Sequence, residues 1–137
     1  LLEHVKNVNA AFTAIANLLR SGGTALIFVP SRNAVYARLN IVLPQSVKQR
    51  ILYWLFPEMR KCQGFPAYYN NCTLAELKKL AIANGLVIIE ERYYFTSSYF
   101  SFFFPLYIAW RLWVLFFHAL AGEQAAETFC LALQKPA

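Results

Sequence analysis

The sequence predicts an α/β protein built on a three-layer sheet. Two units carry that reading, each an apolar-periodic helix, a glycine turn and an apolar strand. They are "NVNAAFTAIANLLR", "SGG", "TALIFVP" and, further on, "TLAELKKLAIAN", "G", "LVIIEERYYF". A third observation is the alternating run "AETFCLALQKP" near the end, which reads as a last strand.

The elements follow in order. In the first helix Val8, Phe12, Ile15, Leu18 and Leu19 recur at helical spacing, and Asn7 or Asn9 is placed to cap it. Gly22 and Gly23 end it by offering a left-handed position. "TALIFVP", bounded by Gly and Pro, is short and wholly apolar, as expected of a strand covered on both faces. From Ser31 to Asn71 the pattern is less regular, although Pro44 can open and Pro57 can close a helix over residues 45–56. "QGFPAYYNN" reads as loop. "TLAE" is a capping box, with Thr73 bonding the amide of Glu76. Leu74, Leu77, Leu80 and Ile82 continue that helix to Asn84-Gly85. The chain thus alternates core elements with two largely helical insertions, at about 32–71 and 97–123.

Composition narrows the function classes. The 137 residues are 58% hydrophobic and 17% aromatic with 15% charge, oily for a water-exposed domain. Net charge is +6, and between Pro30 and Cys62 six basic residues (Arg32, Arg38, Lys48, Arg50, Arg60, Lys61) face one acid, Glu58. The apolar neighbours Ile51, Leu52, Trp54, Leu55 and Phe56 point this basic stretch to an anionic membrane surface rather than to nucleic acid. Cys62, Cys72 and Cys130 are odd in number and lack a C-x-x-C pair, so reduced thiols and a cytoplasmic setting are expected. His4 and His118 lack ligand-like spacing to cysteines or carboxylates, and no metal site is expected. With no Asp in the chain, no Ser-His-Asp triad can form.

The first thirty residues, "LLEHVKNVNAAFTAIANLLRSGGTALIFVP", resemble the second half of a class I S-adenosylmethionine-dependent methyltransferase. That family has a strand ending in a Leu-Glu-His-Val type motif, a helix, a Leu-Lys-Pro-Gly-Gly turn and the next strand. Here the turn is Leu19-Arg20-Ser21-Gly22-Gly23, with Ser21 where Pro is common. "TLAELKKLAIANGLVIIEE" is similar to the family's following helix and strand, and "AETFCLALQKP" to its closing strand; together these cover about half of the chain.

The resemblance implies the C-terminal half of a Rossmann-like sheet. Leu1-Leu2 would end the fourth strand, Thr24–Val29 would be the fifth, Leu86–Tyr94 the sixth, and Glu127–Leu133 a seventh, antiparallel and inserted between those two. The family's glycine-rich cofactor loop and ribose-binding acid would lie before Leu1, where about 100 further residues are expected. The 137-residue chain is accordingly read as a partial domain, without the cofactor-binding half and inactive alone.

The implied cofactor is S-adenosylmethionine, with Leu1 and Leu2 beside its methionine end. Methyl transfer needs alignment and sometimes a base. His4 and Glu3, just past a strand's carboxyl end, are the candidates for base or substrate orientation. Arg32, Asn33, Tyr36 and Tyr68 are candidates for substrate binding.

"YFSFFFPLYIAWRLWVLFFHAL", residues 99–120, holds twelve Leu, Ile, Val or Phe residues. Their insertion would gain about 4–7 kcal/mol, against roughly 2.5–3.5 for a central Arg. Strands on either side must share one sheet, which rules out a single crossing. A helix lying in the interface, or a re-entrant hairpin bent at Pro105, is expected. The interface helix would have Arg111 snorkelling to headgroups and Trp110 and Trp113 dipping inward, with Trp54 as a further membrane contact. The leading expectation is a methyltransferase for a lipophilic small molecule, peripheral on the inner face of a membrane. The alternatives are an enzyme free of the membrane whose oily insertion makes a homodimer, and a non-catalytic relative serving as an interaction module.

Overall fold

The structure is a computed structural model and describes residues 1–55, 57–58, 66–97 and 100–137. Phe56, Arg60, Lys61, Cys62 and Tyr99, and the side chains of Leu52 and Leu55, lie outside the described residues. After a single 3-10 turn at Leu2–His4, the chain forms α1 (Val8–Leu18), β1 (Thr24–Pro30), α2 (Val35–Val42) and α3 (Gln45–Leu55). It continues with α4 (Leu74–Ala83), β2 (Val87–Tyr94), α5 (Phe104–Ala121), a second 3-10 turn at Gly122–Ala125, and β3 (Thr128–Gln134).

The local signals act where the residues place them. Asn7 Oδ1 accepts from the amide of Ala10 at 3.0 Å and starts α1. Thr73 Oγ1 accepts from the amide of Glu76 at 3.3 Å, and donates to its carboxylate at 2.6 Å, at the start of α4. Gly22 and Gly85, at φ +74° and +73°, turn the chain from helix to strand.

The three strands are ordered β1-β3-β2, and β3 runs antiparallel to both neighbours. The expected position and direction of the last strand are therefore observed. The core lies on one face of this sheet, where Phe12 of α1 and Leu77 of α4 pack with Ile27, Val29, Phe129, Leu131 and Leu133. An ion pair of 2.5 Å from Lys78 to Glu91 ties α4 to β2 on that side.

Three expectations are corrected. β1 is covered on one face only: Ile27 and Val29 point in, while Leu26 and Phe28 are 75% and 64% exposed. Among the described residues the arrangement is two-layered rather than three-layered. Leu2–His4 forms a 3-10 turn whose Leu2 is buried, and the strand expected to end there would precede Leu1. Pro105 does not bend a hairpin, because it sits in the first turn of α5, where its missing N–H costs nothing. The insertion after β1 also contains α2, which the irregular sequence pattern concealed.

Candidate functional site

The first group of predicted residues binds the chain's own loop. The carbonyl of Glu3 accepts from the amides of Tyr68 and Tyr69 at 2.7 and 3.0 Å. His4 Nδ1 lies 2.9 Å from the carbonyl of Pro66, which can only accept, so Nδ1 carries the hydrogen. In the neutral ring Nε2 is then the basic atom, 3.6 Å from Glu3 Oε1. Lys6 Nζ stands 5.4 Å over the ring of Tyr68. Glu3, His4 and Tyr68 are thus brought together, in contacts that anchor residues 66–70 to the 3-10 turn.

The second group gathers at the carboxyl end of β1. Tyr36 OH donates to the carbonyl of Glu127 at 3.0 Å, and Asn33 Nδ2 donates to the carbonyl of Gln124 at 3.1 Å. The amide of Ser31 donates to the same Glu127 carbonyl at 2.9 Å. Arg32 stays outside this knot; its amide donates to the carbonyl of Cys72 at 2.7 Å.

At the centre of the second group is a residue that sequence reasoning passed over. Glu127 is 1% exposed, and its Oε1 accepts from Trp110 Nε1 at 3.3 Å. Among the described residues its Oε2 has no hydrogen-bond partner. Burial pushes the Glu127 carboxyl up, against the opposing pull of the Trp110 and Val35 N–H groups and the charge of Arg111. The one available signal was a lone acid after two alanines at the head of an apolar run.

Because native Glu127 holds its proton more tightly than the unfolded chain does, stability falls as pH rises past the ordinary Glu value of about 4.3. Glu127→Gln keeps an acceptor for Trp110 and removes the ionisation. Its melting temperature should exceed that of the wild type at pH 7.5, with the gap closing near pH 4. A lower melting temperature at pH 7.5 would show instead that the folded protein holds this carboxyl ionised.

The membrane-contact residues divide. Trp54 and Trp113 are 79% and 51% exposed, whereas Trp110 is 4% exposed, so the expectation for Trp110 is corrected: Glu127 needs its indole N–H. Arg111 does not reach outward either. Its Nη1 donates to the carbonyl of Phe95 at 2.6 Å, and its guanidinium lies 5.6 Å over the Trp110 ring. The stripe bearing Tyr107, Trp110, Arg111 and Val114 faces the protein, and Phe104, Leu112, Leu115, Phe116 and Leu120 face out. By length and composition alone α5 passes as a membrane span, although only Trp110 and Val114 along it are buried.

Between α2 and α5 lies an apolar groove of about 440 Å³, walled by Val35, Leu39, Val42, Leu106, Trp110 and Trp113 with Arg38 as its charged member. A second cavity of about 440 Å³, lined by Arg32, Asn33, Ile41 and Thr73, shares Arg38 and Val42 with the first. Cys72 and Cys130 are free thiols, and burial pushes that of Cys72 up to about 11, which leaves it a poor nucleophile.

Fold and site together define an α/β sheet whose last strand lies antiparallel in the middle, with a buried carboxyl and two adjacent cavities at the strand ends. No protein-family model and no curated protein matches the chain. Among solved structures, it is similar to Haemonchus contortus phosphoethanolamine N-methyltransferase 2, in selenomethionine form and in complex with S-adenosyl-L-methionine, at 16% identity and a TM-score of 0.47. The match covers 100% of this chain and 32% of that one, so the chain spans about a third of that enzyme's length.

Proposed function

We propose that this chain is part of an S-adenosylmethionine-dependent methyltransferase that acts on a lipophilic acceptor at an anionic membrane surface. The observation that carries the reading is the strand order β1-β3-β2 with β3 antiparallel, the order that the resemblance in the Leu-Glu-His-Val and Gly-Gly motifs implies. Of the residues expected beside the cofactor, Leu2 is buried in the core and Leu1 is 87% exposed. The described residues form no cradle for it, and cofactor binding would fall to other parts of the protein. The 137-residue chain alone should show no heat of S-adenosylmethionine binding by calorimetry.

Support for the lipophilic and membrane parts comes from α5. Its polar stripe is satisfied inward, and a row of large apolar side chains is left outward, with no acidic residue from Phe104 to Ala121. The acid-free α2 and α3 carry Arg38, Lys48 and Arg50, and Arg38 borders the groove beside α5. The free thiols fit a cytoplasmic face.

The test is transfer of a radiolabelled methyl group from S-adenosylmethionine, by the full-length protein, into a lipid extract held in vesicles. Label should pass to the organic phase. Label confined to water-soluble acceptors would refute the lipophilic part, and failure of the full-length protein to bind S-adenosylmethionine would refute the class.

A further inference from the structure

We propose that the two adjacent cavities, which share Arg38 and Val42, form one site for a single-chain anionic amphiphile, its hydrocarbon tail in the α2–α5 groove and its phosphate or carboxylate head between Arg32 and Arg38. As a substrate site it rests on the lipophilic-acceptor reading; as a binding site it stands on the geometry alone.

The tail half is the groove itself. Val35, Leu39 and Val42 on one side and Leu106, Trp110 and Trp113 on the other leave a slot about 440 Å³ in volume, within the roughly 300–1,000 Å³ of small-molecule sites. The indole N–H of Trp110 is already given to Glu127, so the ring presents only apolar surface to an occupant. Nothing in that slot solvates a polar tail, and a hydrocarbon chain is what it can hold.

The head half follows from charge. Arg38 borders both cavities, so the apolar slot ends where the cationic cavity begins. Among the described residues neither Arg32 nor Arg38 is in an ion pair with a carboxylate. Arg38 reaches only the amide oxygen of Asn33, at a loose 3.4 Å. The acid nearest to this cavity in sequence, Glu76, has its carboxylate engaged by the Thr73 hydroxyl at 2.6 Å. Two unneutralised guanidinium groups at the mouth of an apolar slot complement an anionic head on one chain, and a planar fork suits phosphate or carboxylate better than a neutral hydroxyl.

The experiment measures binding to the full-length protein, without cofactor or vesicles, of three probes below their micelle concentrations. Oleoyl lysophosphatidic acid carries head and tail, monooleoylglycerol the tail alone, and glycerol 3-phosphate the head alone. The first should bind at least about tenfold more tightly than either of the others. Arg32→Gln and Arg38→Gln should each weaken it about tenfold, without weakening monooleoylglycerol. Leu39→Trp, at a position 43% exposed and so tolerant of size, should narrow the slot and weaken both chain-bearing probes. Equal binding of glycerol 3-phosphate and lysophosphatidic acid, equal binding of monooleoylglycerol, or indifference to Leu39→Trp would each overturn the proposal. Because no methyl transfer is read, these outcomes are independent of whether the protein proves to be a methyltransferase.

Discussion

Leu112→Asp combined with Phe116→Asp should lower the partition of the protein onto anionic vesicles by about three orders of magnitude. Both side chains are more than half exposed on the outward face of α5, at 62% and 57%. Burying the exposed part of each against lipid is worth about 1–2 kcal/mol, and each added carboxylate is repelled by an anionic surface by about 1 kcal/mol more. The sum, about 4–6 kcal/mol, corresponds to a factor of about 10³–10⁴. Neither position touches the core, so the cost to the fold is limited to helix propensity, below about 0.7 kcal/mol per residue. Trp110 and Trp113 are poorer test positions. Asp at the first would break the contact to Glu127, and Asp at the second would alter the groove. Vesicle sedimentation reads the effect. A wild-type protein that ignores vesicles but forms a dimer, which the double substitution splits by light scattering, would sink the membrane reading and make this face a subunit interface.

The orientation of α5 shows what a sequence can and cannot carry. A helical wheel groups Tyr107, Arg111 and His118 on one stripe, but it does not say which way that stripe faces. The usual preference, polar outward, is overridden here by two groups distant in sequence. The buried Glu127 requires a donor and takes the Trp110 indole, and the Phe95 carbonyl takes Arg111. Local signals fared differently. Asn7, Thr73, Gly22 and Gly85 act within one turn of the chain, and the elements they bound fall within a residue or two of their expected ends. Helix α2 escaped because Ala34 caps it with no side-chain acceptor and Val35–Val42 has no clear apolar face. The site was half legible. The position after β1 marked Asn33 and Tyr36, but their partners, the carbonyls of Gln124 and Glu127, lie 91 residues on, and nothing local announces that Glu127 is buried.

The apolar run of β1 reads as a strand covered on both faces, whereas only one face is covered, and a pair of substitutions tests the difference. Phe129→Ala should cost the 137-residue chain about 3–5 kcal/mol, seen as a lower urea midpoint with unchanged slope. Phe129 is 0% exposed on the central strand, opposite Val29 on one side and Tyr93 on the other, so its loss opens a cavity that neither neighbour can fill. Against a total of about 5–15 kcal/mol that is a large fraction of the stability. Phe28→Ala lies one residue away across the β1–β3 ladder, on the opposite face. There the ring is 64% exposed and meets the ring of Tyr94 edge-on, at 5.8 Å between centroids. Its loss should cost below about 1 kcal/mol. The contrast follows from sheet parity alone: adjacent residues of one strand point to opposite faces, and only one face here is roofed by α1 and α4. In the full-length protein, under the methyltransferase reading, the second face meets another layer, and Phe28→Ala should then cost as much as a core substitution. An equal and small cost in both settings would leave the sheet two-layered and count against that reading.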